Sequence, residues 1–363
     1  MLRRTVTFSA FAHESVRTVR LGETLVVTLL VAVCLANADR ASATFPGANG
    51  RLVVSLNGDI VVMNPDGSGE VALTSTGGDY WPSWSPDGTR IAFVRYSPTR
   101  TSIWVMDSDG SGNHRVSNYG RGAAQPPVWS PNGMWIAFAD DVDAETSSAI
   151  WRVTPDGLQR LRLTPYASRN VEPAWSADAS KIAYSSNADG DYDIWSMNVD
   201  GTGKRKLTQN TVTDLDPAWA PGGSSIVFAH AIKRGSKEVG TALEEMSPTG
   251  SGLAALTDGS RFDRNPAWAP NGSAIVFRGD TASHRGGDPD LYSIRPDGTG
   301  LTKLTGTDTL EVSGATWSPD SSQIVFADNY LRLYRMNADG SDRTLIASDP
   351  TRRLGPADWQ AAS

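Results

Sequence analysis

Seven oxygen-bearing side chains stand at two fixed offsets from a series of tryptophans: Asp79, Asn170, Glu172, Asp214, Asp216, Asp263 and Asn265. Asp79, Asn170, Asp214 and Asp263 lie five residues before Trp84, Trp175, Trp219 and Trp268. Glu172, Asp216 and Asn265 lie three residues before the last three of those tryptophans. The same offsets elsewhere hold Trp81, Ala124, Pro126, Val312, Gly314, Leu354 and Pro356. The acceptors therefore crowd onto three consecutive units, with Asp79 apart. Converging carboxylates and amides suit a hard cation such as calcium, or the cationic groups of a basic peptide. The same residue types also cap turns by accepting bonds from nearby backbone N–H groups.

Other chemistry is sparse. Asn187-Ala-Asp189-Gly-Asp191-Tyr-Asp193 has the alternating oxygens of a calcium loop but lacks the bidentate Glu that ends one. It falls where a hairpin is expected and reads as a turn, as does Asp107-Ser-Asp109-Gly-Ser111. No GxSxG elbow, HExxH or GxxxxGK[ST] occurs in the chain. Beyond the N-terminal segment the histidines are His114, His230 and His284, at unrelated points of three repeats. Asp214, Asp216 and Asp263 are the one carboxylate group suited to a propeller lyase or lactonase, with no imidazole evident nearby. A paired-carboxylate glycosidase depends on a separation that sequence does not give. Two insertions interrupt the pattern: His230 to Lys237 followed by Thr241 to Glu245, and Asp280 to Asp290 with His284 and Arg285. Long loops on a rigid scaffold often carry function. The basic run 233–237 reads as a solvated loop or a partner contact.

The elements that must hold these groups are announced by a repeat. PSWSPDGTRIAF carries Trp84, PVWSPNGMWIAF Trp129, PAWSADASKIAY Trp175, PAWAPGGSSIVF Trp219, PAWAPNGSAIVF Trp268 and ATWSPDSSQIVF Trp317, and PADWQAAS carries Trp359. Successive tryptophans are 45, 46, 44, 49, 49 and 42 residues apart. A period in the forties indicates a propeller or a similar array. Each unit reads as four short strands. Pro-x-Trp is the first, followed by a Ser-Pro-Asp-Gly turn. Ile-Ala-Phe is the second, and pairs such as Ile103-Trp104 and Leu291-Tyr292 mark the third. Asp-Gly turns and a closing Leu-Thr complete the unit.

One such sheet cannot bury both its faces, whereas radial packing against two neighbours can. Trp84, Trp129, Trp175, Trp219, Trp268, Trp317 and Trp359 are then expected to fill the gaps between blades. Before Trp84 only three strands are legible, at 51–54, 59–63 and 70–74. The segment from Pro356 to Trp359 supplies the missing one. The expectation is an all-β, seven-bladed β-propeller whose first blade is closed by the C-terminal strand.

The PxWSPDGxxIAF…DGxxxxLT pattern over roughly residues 51–359 resembles the TolB-type, WD-repeat-like propeller family, and similar blades occur in prolyl oligopeptidase-type enzymes. The resemblance implies a platform for binding. It differs from TolB itself, which implies six blades behind an N-terminal α/β domain. Residues 1–43 are too few for such a domain.

Those residues instead carry Arg3, Arg4, Arg17 and Arg20, an apolar run from Leu25 to Ala36, and Ala41-Ser42-Ala43. This is the order of a secretory signal peptide, or of an N-terminal anchor if uncleaved. The run of about a dozen residues is short of the roughly 20 that span a bilayer. Val33 before Cys34 is a poor lipoprotein signal. Cleavage after Ala43 removes the single cysteine, and with it thiol chemistry and cysteine-held metal. Residues 44–363 would then carry 28 basic and 37 acidic side chains, a net charge of −9. An acidic surface argues against nucleic acid and anionic lipid.

The expected role is thus an exported, non-catalytic platform in the periplasm, cell envelope or medium. Its partner would be a protein or peptide, or a saccharide or small ligand, with no resident cofactor unless calcium. The alternative is a propeller enzyme of lyase, lactonase or glycosidase type using a cation at the acidic channel mouth.

Overall fold

The computed structural model describes residues 45–97, 100–117, 125–143, 147–281, 289–306, 312–328, 332–348 and 354–362. The expected leader at 1–43, and the part of the second insertion with His284 and Arg285, lie outside them. All the regular elements described are β-strands. They form antiparallel sheets, five of four strands and one of eight. The eight-stranded sheet is two repeat units joined by a single parallel pairing of Thr241 with Phe262.

The repeat lettering is explained by its hydrogen bonds. In Ser-Pro-Asp-Gly, the Ser85 hydroxyl donates to Asp87 (2.5 Å) and accepts from Arg90 N (2.9 Å), while Thr89 N donates to Asp87 (3.1 Å). Ser130 with Asn132, Ser176 with Asp178 and Ser318 with Asp320 repeat the arrangement. The threonine of Leu-Thr accepts an N–H from within the third strand: Ile60 to Thr74 (2.9 Å), Ile150 to Thr164 (2.8 Å), Leu243 to Thr257 (2.8 Å). These side chains satisfy backbone groups that the short ladders leave over.

The tryptophans join neighbouring units. Trp129, Trp175, Trp268 and Trp317 donate their indole N–H to the carbonyls of Ser83, Val128, Ala218 and Ala267, at 3.0–3.3 Å. Each acceptor immediately precedes the tryptophan of the previous unit. At these four positions the bond explains why the ring is an indole rather than a phenyl. Trp84, Trp219 and Trp359 have buried indole nitrogens without a partner. Trp219 is half-buried, and the other six repeat tryptophans are buried. The apolar clusters cross from sheet to sheet, as where Trp84, Ile91 and Phe93 pack with Val53, Ile60 and Val62.

The strands that carry the tryptophans follow one another in contact: Asp79–Trp84, Val128–Trp129, Asn170–Trp175, Asp214–Trp219, Arg261–Trp268, Val312–Trp317 and Leu354–Ala362. The last also contacts the first. Leu354–Ala362 pairs antiparallel with Ala48–Leu56, setting Leu52 opposite Trp359, and heads a sheet continued by Asp59–Met63 and Val71–Ala72. Trp84 N donates to the buried Asp358 (2.8 Å), and Gln360 Nε2 donates to Gly88 O (2.7 Å). At the outer side, Gly67 has φ 84°, and a Cβ there would lie 2.0 Å from Ile346 O. Only glycine permits both that turn and that approach.

The first insertion is not the loop that the sequence led us to expect. Ile226–Arg234 and Lys237–Met246 form one long hairpin, paired out to Arg234 and Lys237. Ala229 and Ala231 are buried. Beyond Phe228 they alternate with the half-buried His230 and Ile232, which carries the strand past its usual end.

Candidate functional site: a bulged strand edge around a proline-lined cavity

The third residue before the tryptophan has a backbone of its own kind. Trp81, Glu172, Asp216 and Asn265 have φ of 54°, 60°, 58° and 53°, and Gly314 has 43°. Each sits in a register shift, where two residues drop out of the ladder, or Gly314 alone in the last case. These are β-bulges, which bend the strand and redirect a side chain. A non-glycine residue in this region costs about 1–2 kcal/mol. The preceding unit offsets that cost by capping the freed N–H. Trp81 N donates to Ser55 Oγ (3.0 Å), Glu172 N to Gln125 Oε1 (2.8 Å), Asp216 N to Glu172 Oε2 (2.8 Å) and Asn265 N to Asp216 Oδ2 (3.2 Å). Asn265 Nδ2 adds a bond to Asp216 Oδ1 (3.2 Å), and Ser185 Oγ one to Glu172 Oε2 (2.8 Å). Gln125, Glu172, Asp216 and Asn265 thus form a relay across four units.

The residues five before the tryptophan are brought to a different place. Asp79 is fully buried and holds Arg95 by two bonds of 2.6 and 2.8 Å. Asp214, also fully buried, meets His230 Nδ1 at 2.7 Å and accepts from Asn210 Nδ2 at 2.7 Å. Asp263 accepts from Arg261 (3.0 and 3.2 Å), and burial pushes its carboxyl up. Asn170 bonds to Ser148 O, Pro165 O and Ser168 and accepts from Ser186 Oγ. Asp79, Asp214 and Asp263 are closed off by neighbouring side chains and Asn170 ties its strand to Ser148 of the preceding unit, so the two sets do not merge into one ring of oxygens.

His230 corrects the sequence analysis, which found no imidazole for Asp214. The signal was there: Asp79, Asn170 and Asp214 pair in register with Arg95, Ser186 and His230. Each partner is the eleventh residue after the unit's tryptophan. For Asp263 that place is Gly279, and Arg261 serves instead. The bond to Asp214 raises the His230 pKa above the ordinary histidine value, against the opposing effect of burial. Glu244 Oε2 lies 3.9 Å from the same nitrogen, and burial raises its carboxyl.

In the calcium-like stretch, Asp189 and Asp193 share the Lys206 ammonium at 2.5 and 2.7 Å, and Asn187 Oδ1 accepts from Arg169 N at 2.7 Å. Burial pushes Asp193 up to about 6. Asp107 and Asp109 accept from Ser111 in a turn. Among the described residues no three acidic, histidine or cysteine side chains are grouped to hold a metal ion.

The bulges border a cavity of about 310 Å³. Pro82, Pro127, Pro173, Pro217 and Pro266 line it, with Trp81, Asp216, Asn265 and the repeat tryptophans Trp129, Trp175, Trp219 and Trp268. In the bulged units each proline follows the bulge residue and occupies an unpaired ladder position, where a missing N–H costs nothing. The result is a rigid apolar wall with carboxylate and amide oxygens at one level. Phe45 and Pro46, from the lead-in before the first strand, line the same cavity.

The TolB protein of Zymomonas mobilis is 42% identical over 57 residues, which is 15% of this chain and 12% of that protein's length. The crystal structure of TolB from Acinetobacter baumannii superposes with a TM-score of 0.57 at 16% identity, covering 91% of this chain and 93% of the other. An oligogalacturonate lyase in complex with manganese gives 0.61 at 15% identity, covering 86% and 87%. At these identities the structural likeness establishes the β-propeller fold alone. The family model of the TolB beta propeller domain matches residues 53–284, well over half the chain. The chain therefore belongs to the TolB beta propeller domain family.

Proposed function

We propose that this chain is an exported, non-catalytic, seven-bladed propeller that binds a peptide segment of a partner protein in its proline-lined cavity. The supporting observation is the cavity itself. Its wall is apolar, rigid and largely preformed, with a few oxygens that fix orientation, as ligand sites usually are. In this reading residues 1–43 are an export leader and the working place is the bacterial envelope or beyond. In the same reading Leu354–Ala362 closes the first blade and stiffens the wall, through the pairing of Leu52 with Trp359. Calcium remains a candidate only for the bulge carboxylates Glu172 and Asp216.

Ala174 is half-buried and lines the cavity, so Ala174→Trp fills it from the wall. We expect a protein retained from envelope extracts by the native chain to be lost by Ala174→Trp at unchanged melting temperature. Equal retention by both would remove the cavity from the reading.

One observation favours a second reading. The Asp214–His230 pair, with Glu244 beside it, has the form of an oriented general base. A saccharide-directed propeller enzyme would then lose turnover in His230→Ala while keeping its fold.

A further inference from the structure

A piece of the chain's own lead-in borders the cavity. Phe45 and Pro46 line it beside Trp81 and Trp129, and the half-buried Phe45 ring packs on the apolar cluster containing both tryptophans. The segment is tethered just behind. Gly47 N donates to Pro319 O (3.4 Å), Asn49 Oδ1 accepts from Asp320 N (3.2 Å), and Ala48 pairs with Ala362. The strand thus begins at Ala48, and Phe45 and Pro46, the third and second residues before it, border the cavity, Phe45 half-buried and Pro46 exposed. An aromatic ring followed by a ring-locked residue is what a wall of prolines and indoles accepts at small entropic cost.

We infer that Phe45-Pro46 is an intramolecular occupant of this cavity, and that the partner segment presents the same pair, an aromatic residue followed by proline, and must displace it. This rests on the cavity reading above and adds to it the ligand class and a built-in competitor. A tethered occupant acts at a local concentration in the millimolar range. A partner must therefore outbid it by extending further along the wall, toward Asp216 and Asn265. Those two residues offer oxygens to backbone N–H groups or to a cationic side chain.

The test uses the full chain and a fluorescent heptapeptide with this chain's own residues 44–50, Thr-Phe-Pro-Gly-Ala-Asn-Gly. Anisotropy titrations compare the native chain, Phe45→Ala/Pro46→Ala and Phe45→Tyr. The peptide should bind the double variant about tenfold or more tighter than the native chain, because the competitor is gone. Phe45→Tyr should keep the block. A peptide with alanine for phenylalanine should not bind, and Ala174→Trp in the double variant should abolish binding. Equal affinity for native and double-variant chains would overturn the intramolecular occupant and leave the cavity as a site. No binding to either would overturn the aromatic–proline assignment. If the native chain still retains a partner that Ala174→Trp loses, that failure stays separate from the cavity reading.

Discussion

Asp79 and Trp81, Asn170 and Glu172, Asp214 and Asp216, Asp263 and Asn265 are pairs two residues apart on the same strands. On a regular strand each pair would share a face. Here a bulge separates them. The outer member is buried and locked to a cross-strand neighbour: Asp79 to Arg95, Asn170 to Ser186, Asp214 to His230. The inner member takes a left-handed backbone and bonds to a neighbouring unit. Similar residues two positions apart thus hold a blade together in one case and border a cavity in the other. Backbone conformation separates the roles, and side-chain type does not.

The largest way to strain this contrast is Arg95→Ala. It leaves the fully buried Asp79 carboxylate without its countercharge, which should cost about 3–5 kcal/mol in urea unfolding. Cavity binding should stay unchanged in the protein that remains folded. Asp216→Ala should cost less, about 1–2 kcal/mol, because it removes two bonds to Asn265 at a partly wetted edge. This variant should alter binding. The smallest effect concerns pH. The His230 pKa is raised in the fold, so its contribution is fully present below the ordinary histidine range and is lost as pH rises through the raised value. Glu244, also raised, acts in the same direction, losing its contribution as pH climbs from the free glutamate range through its folded value. Asp214→Asn should lower the His230 pKa, followed by NMR titration, and flatten that part of the melting profile.

Much of the fold was legible because its signals are local. The Ser85–Asp87 turn and the Thr74–Ile60 bond are made within a few residues or one hairpin, and their letters recur. The third strands lay where Ile103-Trp104 and Leu291-Tyr292 pointed. The two offsets from the tryptophan were legible, but not the division of their residues into two sets. A positive φ at Glu172 or Asp216 has no signature in those residue types, and Gly314 was the sole hint. His230 was missed because its partnership depends on register, in a hairpin longer than the repeat predicts. Phe45 was not singled out, because one aromatic residue without a period marks no element. Its place is set by the Pro319–Asp320 turn, far along the chain.

The most direct test of the division pairs Asp79→Asn with Asp216→Asn in the Phe45→Ala/Pro46→Ala chain. Melting temperature and affinity for the residue 44–50 peptide are measured on the same samples. Asp79→Asn should lower the melting temperature and leave the affinity unchanged. Asp216→Asn, which keeps the shape of the side chain, should change the affinity and barely move the melting temperature. If both substitutions shift both quantities together, the outer and inner residues form one site, and the bulge does not divide blade stability from cavity binding.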